Sequence, residues 1–241
     1  MDVADPEACK SLIAETIGNF GKIDGIINNA AIVTPLAVIE NADDKAWRYS
    51  LEVNILGPYY MTKYSLPELR KHKGKIINVS SGAANIPIAA LSAYCTSKAA
   101  LNHFTAVLGE EEPDITAVAV RPCVVNTGMQ TFLRHGNPEV MPEKTAAFYQ
   151  DLYDKDMLEP PEVPARSIAW LSLYAPNEMS GEFRSYDDPD IMGPASAHFR
   201  KLYNLQIRTY HPPGDMSPFP LTITRLLPTL PFYIKHNFRG I

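Results

Sequence analysis

Short runs of apolar residues alternate with longer stretches of helical periodicity along most of this chain. Four runs predict β-strands, at residues 25–30 (GIINNA), 75–81 (KIINVSS), 115–122 (ITAVAVRP) and 181–187 (GEFRSYD). The first three are almost continuously apolar, which is typical of strands that are covered on both faces. Four stretches with helical spacing lie before and between them, at residues 6–19, about 43–72, about 92–111 and about 164–174.

This alternation indicates right-handed βαβ crossovers, and it therefore predicts an α/β fold with a parallel sheet and helices on both of its faces. From about Pro194 onward the chain is rich in proline and has no sustained period. We therefore predict one domain over residues 1–193 and an irregular C-terminal tail over residues 194–241. The alternative is that the tail packs on the domain as a lid.

Composition narrows the classes of function. The 241 residues have a net charge of about −5, which argues against nucleic acid as a partner. Three scattered cysteines form neither a CxxC pair nor a metal-ligand cluster, so we expect no metal site and a reducing, cytoplasmic location. The apolar stretch 219–234 contains an arginine and three prolines, which makes it too short and too broken to span a membrane.

The segment SSGAANIPIAALSAYCTSK carries the candidate chemistry. Tyr94 and Lys98 are four residues apart, so on a helix they share one face, and an ammonium beside a phenol favours the phenolate. Such a tyrosine can transfer protons near neutral pH. A second pair at this spacing, Tyr59–Lys63, lacks a serine thirteen residues upstream, whereas Tyr94 has Ser81 there, at the end of a predicted strand. We interpret Tyr59–Lys63 as an ordinary helix-surface contact.

These residues resemble the Ser, Tyr and Lys of the short-chain dehydrogenase/reductase family. INNAA (27–31) is similar to the NNAG motif of that family, VNILG (53–57) to the segment with its catalytic Asn, and RPCVVNT (121–127) to its PGxVxT motif. The resemblance covers about residues 2–187 and implies a Rossmann-like fold. YCTSKAALNHF and VVNTGMQ are most similar to fungal members of the benzil reductase and sepiapterin reductase type.

The resemblance implies reduction of a ketone, diketone or aldehyde to an alcohol by hydride transfer from NADPH or NADH, with NADPH favoured. Tyr94 would donate the proton, Ser81 would hold the carbonyl oxygen, Lys98 would lower the pKa of Tyr94 and bind the nicotinamide ribose, and Asn54 would position a relay water. The other residues that the resemblance assigns to cofactor binding are Asp2, Asn29, Val125 and Thr127, and Asn29 would also brace the sheet.

Pro58 gives physical support to the role of Asn54. It lies four residues later in a helical pattern, and because proline has no N–H, the carbonyl of Asn54 loses its helical donor and the helix should kink. A buried carbonyl without a donor needs a partner, and water is suitable. A kink that serves only packing is the alternative.

The sequence departs from the family pattern in its first part. It contains no TGxxxGxG turn, and Met1 corresponds to the end of the third strand of the family, so about a quarter of the fold is expected to be missing and strands equivalent to 4-5-6-7 retained. That turn cradles the pyrophosphate, and we therefore expect weak or no cofactor binding and an exposed edge at 25–30. Cys123 and Ala31 stand where the motifs have glycine, which should alter the local backbone or the pocket.

Two hypotheses of function follow. The first is a carbonyl reductase that acts on a small molecule. The second is a non-catalytic remnant, a pseudoenzyme subunit that has lost the pyrophosphate loop. A homodimer would form through the helices at about 43–72 and 92–111. The substrate loop should span about 128–162, where four aromatic residues either line a pocket or belong to the core: Phe132, Phe148, Tyr149 and Tyr153.

Overall fold

The computed structural model describes residues 1–135 and 140–209, with the side chains of 202–209 excepted. The four predicted strands are present as β1 (Gly25–Asn28), β2 (Lys75–Val79), β3 (Thr116–Arg121) and β4 (Phe183–Ser185). They form one parallel sheet in the order β1-β2-β3-β4. The parallel α/β prediction is therefore confirmed, and each strand's carboxyl end lies at the same edge of the sheet.

The described part of the chain contains eight α-helices: α1 (Pro6–Phe20), α2 (Asp44–Leu51), α3 (Gly57–His72), α4 (Ser92–Glu111), α5 (Gly128–Arg134), α6 (Glu143–Asp154), α7 (Glu162–Tyr174) and α8 (Pro189–Thr209). The four predicted helical segments are confirmed, with 43–72 divided between α2 and α3. Helices α5 and α6 were not predicted, because their stretch is short and interrupted by proline and glycine.

The sheet is buried on both faces, as the continuous apolar runs predict. Ile77 and Val118 point to one face, where they pack with Leu171 of α7. On the other face, Asn78 bonds to Thr105 of α4. All of these side chains are fully buried. Because alternate residues of one strand point to opposite faces, both must be covered, and this explains why β2 and β3 contain almost no charged residues.

The proline in the long helical segment lies in the first turn of α3, and the kink that we predicted there stays a prediction. A π-helical turn, Glu52–Leu56, joins α2 to α3, and the Gly57 N–H bonds to the Glu52 carbonyl. The wider turn places Pro58 in the first turn of α3, where its missing N–H costs little. Such π-turns often occur at functional sites, and Asn54 lies within this one.

The C-terminal prediction differs from the structure in one respect. Helix α8 continues across Pro194 to Thr209, whereas we predicted irregular chain from Pro194. Ile191 and Ala195, four residues apart, are buried and anchor the helix. The chain divides into two compact units, Met1–Ala197 and His198–Ile241. The predicted domain boundary at 193/194 stays a prediction, and residues 210–241, with the stretch 219–234, lie outside the described residues. None of the described helices is long and apolar enough to cross a membrane.

Candidate active site

Ser81, Tyr94 and Lys98 meet at the carboxyl edge of the sheet. Ser81 follows the end of β2 in extended conformation and caps a short 3-10 turn, where its hydroxyl accepts a hydrogen bond from the Ala83 N–H at 3.1 Å. Tyr94 lies in the first turn of α4 and Lys98 one turn later. The Lys98 Nζ is 5.6 Å from the ring centroid of Tyr94. The predicted grouping of the three residues is thus present in the structure.

Lys98 is a buried ammonium. Its side chain is only 3% exposed, and its Nζ donates to the Val79 carbonyl at 2.8 Å. Burial lowers the pKa of Lys98 to about 8, because the charged form loses hydration. One of its three donors is used by Val79, so two remain for an acceptor that enters the site.

The electrostatic state of Tyr94 differs from the expectation. Burial raises the pKa of the Tyr94 phenol, an interaction with the Ser81 hydroxyl opposes that rise, and Cys95 adds to it. We expected Lys98 to lower this pKa, but Lys98 is not among its causes. Because burial lowers the pKa of Lys98 to about 8, its side chain is uncharged in the pH range in which the Tyr94 phenol titrates. Tyr94 is therefore a protonated phenol at neutral pH, which suits an acid.

The Asn54 side chain connects three parts of the site. Its Oδ1 accepts from the Ile32 N–H at 2.9 Å, and its Nδ2 donates to the Ile32 carbonyl at 2.8 Å. Nδ2 also donates to the Ser97 hydroxyl at 3.1 Å, and Ser97 in turn donates to the Tyr94 carbonyl at 2.8 Å. Asn54 thus links the segment after β1 to the first turns of α4. The relay water on its backbone stays a prediction.

Asn28, which the sequence analysis did not single out, braces the sheet. It is buried, and its Nδ2 donates to Asn78 Oδ1 at 2.8 Å, while Asn78 Nδ2 donates to the Thr105 hydroxyl at 2.9 Å. We assigned this bracing to Asn29, but Asn29 is exposed just beyond β1. The assignment was wrong because strand alternation places Asn28 on the face of Ile26, a signal that the sequence already contained.

The remaining predicted cofactor residues lie in two places. Val125 and Thr127 belong to the segment after β3, at the same edge of the sheet as Ser81, and the Thr127 hydroxyl donates to the Val125 carbonyl at 3.4 Å. Val125 also forms a β-bridge with Glu159. Asp2 contacts α2 instead, where it accepts from the Tyr49 hydroxyl at 3.1 Å.

Cys123 occupies a backbone conformation that suits glycine. Its φ is 58°, in the left-handed region, and its side chain is exposed. The loop therefore keeps the conformation of the glycine motif although the residue has a Cβ. Ala31, the other substituted glycine, is not among the described non-glycine residues with positive φ, and its position accepts alanine without strain.

We expect Cys123→Gly to raise the free energy of unfolding by about 0.5–1 kcal/mol. A Cβ in this conformation costs about 1–2 kcal/mol, which glycine avoids. Part of this gain is lost because glycine increases the conformational entropy of the unfolded chain. Urea denaturation measures the change. Cys123→Ala is the matched control, since it removes the thiol but keeps the Cβ, and should give no gain. Equal stability of the two variants would contradict the explanation.

The predicted substrate segment is folded into α5 and α6, and its aromatic residues divide into two groups. Tyr149 is buried at 6% exposure in a cluster with Val33, Leu91, Leu133 and Met141. Phe132, Phe148 and Tyr153 are 45%, 53% and 50% exposed. Of the four candidate aromatic residues, only Tyr149 therefore faces the cluster that Tyr94 and Cys95 also contact.

The second Y-x-x-x-K pair is a surface contact, as predicted. Tyr59 is exposed, and the Lys63 Nζ lies 5.7 Å from its ring centroid. Within residues 1–135 and 140–209 no group of three or more His, Cys, Asp or Glu side chains is placed to hold a metal ion.

A parallel sheet with a serine, a tyrosine and a buried lysine at its carboxyl edge defines a dehydrogenase-type site. The family model described as short chain dehydrogenase matches residues 1–138. The chain belongs to the short-chain dehydrogenase family, whose members are oxidoreductases that act on alcohol and carbonyl groups with NAD or NADP.

Fungal proteins are among its relatives. An uncharacterized oxidoreductase of Schizosaccharomyces pombe is 42% identical over 178 residues, 73% of this chain and 72% of the relative. A Saccharomyces cerevisiae benzil reductase, described as (S)-benzoin forming, is 35% identical over 204 residues, 80% of this chain and 77% of the relative. The crystal structure of a Saccharomyces cerevisiae short chain dehydrogenase/reductase superposes with a TM-score of 0.77 at 32% identity, covering 80% of this chain and 77% of that one.

Proposed function

We propose that this protein reduces a ketone, diketone or aldehyde to the alcohol, with Tyr94 as proton donor. The observation that carries the proposal is the placement of Tyr94 between the Ser81 hydroxyl and the buried Lys98 ammonium. A carbonyl that gains hydride becomes an alkoxide, and it needs an acid at once. The raised pKa of Tyr94 keeps the phenol protonated until that negative charge forms. Similarity to a benzil reductase also supports reduction of a carbonyl compound.

The residues of the site fit a nicotinamide cofactor, and this cofactor supplies the hydride when it is bound. The two remaining donors of Lys98 suit the ribose hydroxyls, and Val125 and Thr127, in the segment after β3, would hold the carboxamide. Ser81 would orient the carbonyl oxygen, and Asn54 would hold the relay water through its backbone. Asn29 and Asp2 would contact the rest of the cofactor. We propose NADPH ahead of NADH.

A bound cofactor would also change the electrostatics of Tyr94. Negative phosphate groups near Lys98 would favour its protonated form, and a fully charged ammonium lowers the pKa of a neighbouring phenol. The predicted effect of Lys98 on Tyr94 would then arise in the complex, while the cofactor-free protein keeps Tyr94 as an acid.

Two further points belong to the proposal. Exposed apolar side chains on α3 and α4, among them Tyr59 and Val107, form an uncovered face, and the Tyr59 ring meets Phe104 edge-on at 6.4 Å. We infer that this face is buried in a homodimer. Sedimentation at the monomer mass of 26.7 kDa would contradict this.

The free cysteines Cys9, Cys95 and Cys123 support a cytoplasmic location.

A test of the proposed function measures NADPH and NADH oxidation by the purified chain with a panel of ketones, diketones and aldehydes. A chain that still binds the cofactor without the TGxxxGxG turn is expected to oxidise NADPH only when a carbonyl compound is present. The rival, a non-catalytic subunit, is favoured by the lack of a TGxxxGxG turn in the 241 residues. It predicts no oxidation with any substrate, together with no measurable NADPH affinity by calorimetry.

A further inference from the structure

The segment after β3 is tied by two backbone hydrogen bonds to the residues that precede α7. The Glu159 N–H donates to the Val124 carbonyl at 2.9 Å, and the Asn126 N–H donates to the Glu159 carbonyl, also at 2.9 Å. Val125, which lies between these two residues, forms a parallel β-bridge with Glu159. Pro160 follows Glu159, and a residue before proline is restricted to the extended backbone that a β-bridge requires. The local sequence thus favours this contact.

Tyr186, directly after β4, anchors the contact in the core. Its side chain is buried in the core cluster that contains Val120 and Leu171, and its N–H donates to the Arg121 carbonyl at 3.0 Å. The Tyr186 phenol is hydrogen-bonded to the side chain of Glu159. Burial raises the pKa of Tyr186, and the bond to Glu159 raises it further. At neutral pH the phenol is therefore protonated and donates, and the Glu159 carboxylate accepts.

Glu159 connects the core to the residues that we propose for the nicotinamide carboxamide. Its side chain is held by Tyr186, and its backbone bonds to the residues on both sides of Val125. Thr127 is exposed, and its hydroxyl donates to the Val125 carbonyl at 3.4 Å, the long end of the hydrogen-bond range. The position of Val125, and through it the setting of Thr127, thus depends on Glu159.

We propose that Tyr186 and Glu159 are positioning residues for the cofactor, which hold Val125 and Thr127 where these receive the nicotinamide carboxamide. This inference rests on the proposed function, which assigns the latter two residues to the carboxamide. Neither Tyr186 nor Glu159 needs to touch the cofactor in this role. A segment that had to become ordered during binding would lose affinity, because fixing backbone and side chains costs conformational entropy.

The affinity for NADPH tests this, measured by fluorescence titration and by steady-state kinetics with benzil as the carbonyl probe. Tyr186→Phe keeps the ring in the core but removes the donor. It should raise the Kd and the KM for NADPH about tenfold or more, as expected for loss of a hydrogen bond to a charged group. The KM for benzil should stay within about twofold. A variant that is merely less well folded would lose active protein and lower kcat, with both KM values unchanged.

A conservative variant and a matched control separate the hydrogen bond from other effects. Glu159→Gln keeps an oxygen that accepts from the Tyr186 phenol, so its Kd for NADPH should stay within about threefold of the wild type. Glu159→Ala should match Tyr186→Phe, and the double variant should lose no more than either alone, because both changes remove the same bond. Tyr64→Phe removes the hydroxyl of a half-buried tyrosine of α3 and should bind NADPH as the wild type does.

Amide hydrogen exchange of the cofactor-free protein tests the positioning without any activity. The N–H groups of Asn126 and Glu159 should exchange at least about tenfold faster in Tyr186→Phe than in Tyr64→Phe, because the contact opens more often. If Tyr186→Phe does not fold, Glu159→Ala provides the same comparison for the Asn126 N–H.

The inference and the proposed function fail in different ways. Equal exchange rates, or an unchanged Kd for NADPH in Tyr186→Phe, would overturn the inference, while turnover of a carbonyl compound by the wild type would still support the proposed function. NADPH binding that Tyr186→Phe weakens, without oxidation in the presence of any carbonyl compound, would refute the proposed function and support the inference. A wild type without measurable NADPH binding would overturn both.

Discussion

Replacing Tyr94 with phenylalanine is expected to lower kcat/KM for NADPH-dependent carbonyl reduction at least about a hundredfold, because a positioned general acid contributes on the order of 10²–10⁴. The ring stays in place, so packing against Leu91 and Met141 should change little. The melting temperature should therefore stay within a few degrees of the wild type. Steady-state kinetics and a thermal melt of the same preparation measure both effects.

The chain offers a matched control in its other Y-x-x-x-K pair. Tyr59→Phe removes the same hydroxyl from an exposed position on α3 and should leave kcat/KM unchanged. Equal rates for Tyr94→Phe and the wild type would refute Tyr94 as the acid. Loss of rate in Tyr59→Phe as well would show that the assay responds to something other than the proposed site.

The second large effect is the loss of folding stability that results from burying the Lys98 ammonium. The pKa of Lys98 in the folded protein is about 8, against an ordinary value of 10.5. Below pH 8 Lys98 is charged in both the folded and the unfolded chain. The desolvation of this charge destabilises the folded state. Between pH 8 and 10.5 the unfolded chain binds more protons, so the free energy of unfolding rises with pH. Above pH 10.5 the cost is gone.

We expect Lys98→Met to abolish carbonyl reduction and yet to raise the free energy of unfolding at pH 7 by about 1–2 kcal/mol. Linkage gives roughly 3 kcal/mol for the removed charge, and about 1–2 kcal/mol is lost because the Val79 carbonyl loses its donor. The gain should shrink between pH 8 and 10.5. Urea denaturation at pH 7 and pH 10 measures this difference.

Lys63→Met is the control, because Lys63 is an exposed residue of α3 whose ammonium lies over the rings of Tyr59 and Tyr64. It should change stability by less than about 0.5 kcal/mol at either pH. A Lys98→Met variant that is less stable than the wild type at pH 7 would show that the hydrogen bond to Val79 outweighs desolvation. It would overturn the interpretation of Lys98 as a group kept for function at a cost in stability.

The homologous fungal proteins and the geometry point to the same chemistry, but by separate routes. Family membership rests on the match over residues 1–138.

The sequence by itself determined the strands, the parallel order and the grouping of Ser81 with Tyr94 and Lys98. These features depend on spacing that is local in the chain: continuous apolar runs require cover on both faces, and residues four apart share a helix face. The sequence also distinguished the Tyr59–Lys63 pair, because no serine lies thirteen residues before Tyr59. In the structure this pair is a contact on the surface of α3.

Only the tertiary structure determined the burial, the pKa shifts and the contacts of the individual side chains. It raised the pKa of Tyr94 where spacing predicted the opposite, because desolvation depends on the elements that cover the phenol. It assigned the bracing of the sheet to Asn28, and it buried only Tyr149 of the four candidate aromatic residues. Burial and cross-element contacts join residues that are far apart in the chain, so no local pattern of side chains could determine them.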